Sequence, residues 1–130
     1  MKVLVDTNVI IYDLVEDSPF HKEAEKVLDS SERWVIPSIV VHELVWFLRA
    51  NNVENVDYVN AYINDPKAEV VCEEVGVIRR ALDIMREEKL SFSRYNDLVI
   101  LSHSIYRKLP LATFDKGLSN LAKRYNVTVV

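Results

Sequence analysis

Four acidic residues have a type and spacing that could support catalysis. Asp6 and Asp115 each follow a short apolar segment that predicts a β-strand. Asp97 lies four residues after Ser93, a predicted helix N-cap, and so falls near the start of a helix. Glu43 stands inside a strongly apolar helical segment, where a lone buried carboxylate would be costly. Ligands of open α/β sheets bind at the carboxyl ends of the strands, so we expect these four acids to converge there.

Converging carboxylates repel one another, and their pKa values rise unless a cation compensates them. Oxygen ligands without His or Cys favour Mg²⁺ or Mn²⁺ over softer metals. Such an ion can activate water, neutralise a phosphate and stabilise a leaving oxygen. The pattern therefore favours metal-dependent phosphodiester hydrolysis.

Each acid also has a structural interpretation when it is considered alone. Asp115 could cap a helix, Asp97 could complement a helix dipole, and Asp6 could form a turn with Thr7. Glu43 could pair with His42 or with a distant arginine. The joint occurrence of all four acids favours a common site.

Short apolar strands alternate with amphipathic helices along the whole chain, which predicts a single α/β domain over residues 1–130. We expect a three-layer fold with a five-stranded parallel sheet flanked by helices. The predicted strands are Lys2–Val5, Trp34–Ile36, Glu69–Cys72, Leu109–Thr113 and Val127–Val130. The predicted helices are Pro19–Ser30, Ser38–Ala50, Val56–Asn64, Glu73–Lys89, Ser93–Arg107 and Lys116–Arg124.

Composition excludes several classes of protein. With 49% apolar residues the chain is not disordered, and a lone Cys72 excludes a disulfide framework. We interpret Cys72 as a small core residue. The longest apolar run, Leu44–Leu48, is too short to span a membrane, and the N-terminus lacks the apolar stretch of a secretory signal. A cytoplasmic location is expected.

The net charge of −4 is unevenly distributed. Residues 1–65 carry a net −7 and residues 66–130 a net +3, so the second half could offer a basic surface to a phosphate-bearing partner. Arg94, one turn before Asp97, and Lys116, next to Asp115, are the predicted substrate-binding residues.

At these acids the sequence resembles the PIN domain family, and within it the VapC-type toxin ribonucleases of bacteria and archaea. The resemblance runs the length of the chain. Its motifs are Asp6-Thr7-Asn8 after the first strand, Glu43-Leu44 in an apolar helix, Asp97 early in a later helix, and Thr113-Phe114-Asp115 after the fourth strand.

The resemblance implies a Mg²⁺- or Mn²⁺-dependent endoribonuclease, with the four acids as metal ligands and catalytic groups. Thr113 would orient water or a neighbouring acid, and Asn8 would support Asp6. RNA would be the substrate. Many members are toxins neutralised by an antitoxin protein, whereas others mature ribosomal RNA, and the residues leave both possibilities open.

A homodimer is also predicted, because two neighbouring helices carry more large apolar side chains than a small sheet needs. These side chains are Trp46, Phe47, Tyr58, Val59 and Tyr62. The resemblance agrees, since relatives commonly dimerise.

Other function classes have weaker support. A non-catalytic binding module with the same fold and a phosphotransfer domain with an aspartyl phosphoacceptor remain open. The pair His42-Glu43 lacks the second histidine of a metalloprotease motif, because Trp46 stands in its place. With Gly76 and Gly117 as the only glycines, no glycine-rich phosphate loop exists.

Overall fold

Parallel strands alternate with helices in the computed structural model, which describes residues 1–130. The strands are β1 (Lys2–Val5), β2 (Arg33–Pro37), β3 (Ala68–Val71) and β4 (Leu111–Ala112). The helices are α1 (Thr7–Leu14), α2 (His21–Ser30), α3 (Ser38–Ala50), α4 (Val56–Ile63), α5 (Val75–Glu88), α6 (Tyr95–Arg107) and α7 (Lys116–Arg124), and a single 3-10 turn, Phe92–Arg94, precedes α6.

The strand order is β3-β2-β1-β4, and every pairing is parallel. From β1 the chain moves outward to β2 and β3, and then returns to place β4 on the other side of β1. Right-handed crossovers that run in opposite directions put helices on both faces of the sheet. The β1–β4 boundary is therefore the topological switch point, where open α/β sheets bind their ligands.

The expectation of a fifth strand is wrong. Val127–Val130 forms only an isolated parallel bridge, between Val129 and Leu111. Leu111 N–H donates to Thr128 (2.8 Å), and Val130 N–H donates to Leu111 (2.9 Å). No longer ladder forms because β4 has only two residues, and of these only Leu111 directs its N–H and C=O toward the tail.

Helix α1 was not expected, because Asp6-Thr7-Asn8 indicated a turn. Instead, the Asp6 side chain accepts a hydrogen bond from Thr7 N–H and caps a helix that starts at once. Val9 and Ile10 bury one face of this helix in the core. The backbone of Asp6 is therefore fixed by β1 before it and by α1 after it.

The predicted N-cap at Ser93 is also wrong. Ser91 accepts a hydrogen bond from Ser93 N–H and caps the 3-10 turn, and α6 begins only at Tyr95. Asp97 nevertheless lies in the first turn of α6.

The core is built around β1 and α6. Val3, Leu4 and Val5 are fully buried, as expected for a central parallel strand covered on both faces. Residues 98–104 of α6 are also all buried. Cys72 departs from prediction: it is exposed just after β3, outside the core.

No helix of the structure combines the length and the apolarity needed to cross a bilayer.

Candidate active site

The four predicted acids line one open cleft at the carboxyl end of the sheet. Its volume is about 550 Å³. The lining residues are Asp6, Thr7, Asn8, Ile11, Glu43, Trp46, Phe47, Asn96, Asp97 and Asp115. Acids from β1, α3, α6 and the start of α7 therefore meet at the switch point of the topology.

Asp6 is the most buried of the four, with 5% of its surface exposed. Its Oδ1 accepts from Thr7 N–H at 2.8 Å, and its Oδ2 accepts from the Thr113 hydroxyl at 2.7 Å. Burial is the largest cause that raises the pKa of Asp6 to about 7; the charges of Asp97 and Glu43 contribute to this rise, and the two hydrogen bonds oppose it. The carboxyl is thus fixed in position and is costly to ionise without a cation.

Thr113 connects two of the acids. Its hydroxyl donates to Asp6 and accepts from Asp115 N–H at 3.1 Å. The Asn8 side chain donates to the Thr113 hydroxyl (3.5 Å) and accepts from Phe114 N–H (3.3 Å), so it supports Asp6 only through Thr113. The strand ends of β1 and β4 are tied together by these side chains.

Glu43 is half-buried and makes no ion pair. Its Oε1 accepts from the Thr7 hydroxyl at 2.5 Å, and its Oε2 accepts from Asn96 Nδ2 at 3.2 Å. His42 is exposed. The interpretation of Glu43 as a partner of His42 or of an arginine is therefore wrong.

Asp97 forms an ion pair with Arg94. Arg94 Nε lies 3.1 Å from Asp97 Oδ2. Burial raises the pKa of Asp97, the Arg94 guanidinium opposes the rise, and Asp115 and Glu43 add to it. The acids of the cleft therefore raise one another's pKa values through charge repulsion.

Asp115 also caps α7, since its Oδ1 accepts from Leu118 N–H at 2.9 Å. The structural interpretation of this residue therefore holds alongside its place in the cleft. Lys116 is exposed at the start of α7 and is not part of the cleft lining.

The donor chemistry of the cleft fits a hard divalent cation, because the ionisable groups that line it are all carboxylates. In the observed conformation, however, no three His, Cys, Asp or Glu side chains converge on one point. Mg²⁺ commonly binds through one or two carboxylates and keeps its remaining ligands as water or phosphate. The cleft fits such a sparsely ligated ion better than an all-protein cage.

Five residues of the cleft lining were not predicted as site residues: Thr7, Ile11, Trp46, Phe47 and Asn96. Thr7 and Asn96 hold Glu43, and Trp46 forms part of the wall. Thr7 and Asn96 each adjoin a predicted acid, which was the available signal. The sequence predicts Trp46 and Phe47 for a dimer surface instead.

The fold and the cleft define an α/β protein with an acidic site at its topological switch point. The sequence model of the PIN domain matches residues 3–124, so the chain belongs to the PIN domain family. No curated protein is similar enough in sequence to match the chain.

Solved structures with the same fold include a toxin–antitoxin complex and a toxin. VapBC2 of Rickettsia felis, bound to a promoter DNA fragment, superposes with a TM-score of 0.74 at 19% identity, covering 100% of this chain and 98% of that one. The sarcin-ricin loop cleaving toxin VapC20 of Mycobacterium tuberculosis gives a TM-score of 0.75 at 15% identity, with 91% and 93% covered. FitAcB of Neisseria gonorrhoeae gives 0.68 at 22% identity, with 98% and 95% covered.

Proposed function

We propose that this protein is a divalent-metal-dependent endoribonuclease. The observation that carries the proposal is the meeting of four carboxylates, from four separate elements, in one open cleft. Acids with separate structural roles are not expected to share one cleft, where they raise one another's pKa values. RNA is the proposed substrate class because a fold relative, VapC20, is described as cleaving an RNA loop.

Asp6, Glu43, Asp97 and Asp115 would hold Mg²⁺ or Mn²⁺. When bound, the ion would supply an activated water and neutralise charge on the phosphate. The chain's own residues prepare the site: Thr113 fixes Asp6, and Thr7 fixes Glu43.

The cleft is open to solvent rather than enclosed, which suits a polymer substrate. The four acids repel phosphate unless they are compensated, so basic residues must help to draw RNA in. Lys116 stays a candidate for this role, since it is exposed beside Asp115.

A cleavage assay tests the proposal. The wild-type protein should cut a labelled single-stranded RNA with Mn²⁺ and lose activity with EDTA. Asp97→Asn should be inactive, whereas Asp83→Asn, a matched change on the exposed face of α5, should retain full activity. Cleavage that persists in EDTA, or in folded Asp97→Asn, would refute the proposal.

A non-catalytic binding module is the second candidate. It is favoured by the absence of any three converging metal ligands and by the Arg94 cation that already neutralises Asp97. RNA binding without cleavage in Mn²⁺ would support it. A phosphoacceptor role for Asp6 has less support, because both carboxylate oxygens are already hydrogen-bonded in a buried position.

We further propose that the protein is a toxin with an antitoxin partner rather than an RNA-processing enzyme. The α3–α4 groove, of about 330 Å³, offers an apolar surface to such a partner. Its apolar lining is Val45, Leu48, Val53, Val56 and Val59. The exposed Val45 and Val56 leave this groove uncovered in the free chain.

Growth experiments test the partner. Expression of the wild-type protein should arrest growth, and expression of Asp97→Asn should not. A gene selected from the source genome because it relieves this arrest should encode the antitoxin. Val45→Glu should keep the ribonuclease activity and lose neutralisation. An absence of growth arrest by a protein that cleaves RNA would favour the processing role.

A further inference from the structure

The two tryptophans of the chain have opposite environments. Trp34 on β2 is 7% exposed, and its indole N–H donates to the Leu28 carbonyl at 2.9 Å. Trp46 on α3 is 60% exposed. A large aromatic side chain left in water beside a functional cleft indicates a contact that forms only when a ligand binds.

Trp46 belongs to the acidic cleft. It stands three residues after Glu43 on α3, so the two side chains share one face of the helix. It lines the cleft together with the acids. It lines neither the α3–α4 groove nor the neighbouring groove formed by Leu14, Val15, Phe47, Leu48, Asn51, Val53 and Tyr58.

A cation positions the indole ring. The Arg49 guanidinium carbon lies 5.3 Å from the ring centroid of Trp46, within the range of a cation–π contact. This contact occupies one face of the ring and puts a positive charge next to a residue of the acidic cleft, while Arg49 itself lines the α3–α4 groove. The arrangement suits a ligand that carries both a flat ring and a phosphate.

We infer that Trp46 is a base-stacking platform for single-stranded RNA bound in the cleft. The inference rests on the proposed ribonuclease function and adds a substrate-positioning residue to it. Splayed bases of single-stranded RNA stack on aromatic side chains, whatever their sequence. A base held against Trp46 would place its neighbouring phosphate toward Glu43 and the other acids.

Tryptophan fluorescence gives a direct test, because Trp34 is buried and serves as an internal reference. The experiment uses Asp97→Asn protein with Mg²⁺, to prevent cleavage, and compares a single-stranded RNA with an abasic oligomer of the same length. The RNA should quench the emission of Trp46, and the abasic oligomer should not. In Trp46→Phe the quenching should disappear while most of the affinity remains.

Affinity supplies the second readout. Trp46→Ala should weaken RNA binding by about 5-fold to 150-fold, the loss expected for one stacked base. Folding should be retained, since the side chain is exposed. Tyr106→Ala is the matched control: Tyr106 is also exposed, at the far end of α6 from Asp97, and its loss should leave binding unchanged.

The outcomes separate the two proposals. If the wild-type protein cleaves RNA but Trp46→Ala binds and cleaves equally well, stacking is wrong and the ribonuclease stands. If Trp46→Ala loses only an antitoxin contact, Trp46 serves a protein partner and stacking is again wrong. If the folded wild-type protein neither binds nor cleaves RNA with Mn²⁺, the proposed function fails and the platform fails with it.

Discussion

Arg94 Nε lies 3.1 Å from Asp97 Oδ2, one helical turn away across the start of α6. In the structure Arg94 pairs with one of the four acids, and its predicted contact with RNA stays a prediction. The Arg94 guanidinium also lies close to Gly117, two residues after Asp115. A Cβ atom added to Gly117 would be only 3.6 Å from Arg94 Nη2. Arg94 is therefore an internal counter-cation of the cleft.

Removal of this counter-cation should favour metal binding. Arg94→Ala eliminates a charge that competes with a divalent ion for Asp97, so Mn²⁺ affinity should rise about twofold to fivefold, the range of a partly exposed ion pair. Titration calorimetry would measure the change. Lys116→Ala is the control, because it removes the same charge without breaking an ion pair of the cleft. An equal rise in Mn²⁺ affinity in Lys116→Ala would show that only the net charge matters.

Asp97→Asn should separate activity from stability. Burial raises the pKa of Asp97 and the neighbouring acids add to the rise, which outweighs the opposing effect of Arg94, so loss of this charge should not destabilise the fold. We expect the free energy of unfolding to stay equal or increase while ribonuclease activity is lost. Urea denaturation beside the cleavage assay would check this, and an unfolded variant would make Asp97 a structural residue of α6.

The stability of the metal-free protein should fall as pH rises from about 4 to about 7. The pKa of Asp6 is about 7 in the folded chain against an ordinary value of 3.8, so the native state binds the extra proton in this range. Linkage then gives a loss on the order of a few kcal/mol from this group as the pH rises through that range. Asp6→Asn should remove that part of the slope in denaturation with EDTA, and an unchanged slope would refute the assignment.

The homodimer stays a prediction, with a smaller surface than the sequence indicated. Tyr62 is buried and donates to Asp13, so it does not belong to the dimer surface; Trp46 and Phe47 line the cleft, and Val59 lines the α3–α4 groove. Tyr58, 43% exposed on α4, remains. Light scattering should give twice the chain mass of 15.1 kDa, and Tyr58→Glu should give the single mass. Leu82→Glu on α5 is the control, and a monomeric wild type would contradict the prediction.

The sequence predicted most of the fold because the strongest elements have unambiguous patterns. β1, α3 and α7 have the predicted bounds. Helix α1 was missed because Asp6-Thr7-Asn8 is typical of turns, and only tertiary burial of Val9 and Ile10 makes it helical. The fifth strand was overpredicted because the tail is β-prone but β4 is too short to pair with it.

The site was predictable to the level of its acids but not of their partners. Asp6 and Asp115 follow strands in the sequence, so the sheet brings them to one edge. The contact of Asn96 with Glu43 depends on how α3 meets α6, and the Arg94–Asp97 pair depends on side-chain rotamers. Neither leaves a periodic signal in the sequence.

The position of a bound metal is the most direct test of the account. Crystals soaked in Mn²⁺, at a concentration that supports RNA cleavage, should show an anomalous peak in the acidic cleft within about 2.0–2.3 Å of oxygens from one or two of Asp6, Glu43, Asp97 and Asp115. The peak should be lost or weakened in Asp97→Asn crystals. An empty cleft under those conditions, or a single peak elsewhere on the protein, would contradict the claim that these four acids form the metal site of a nuclease.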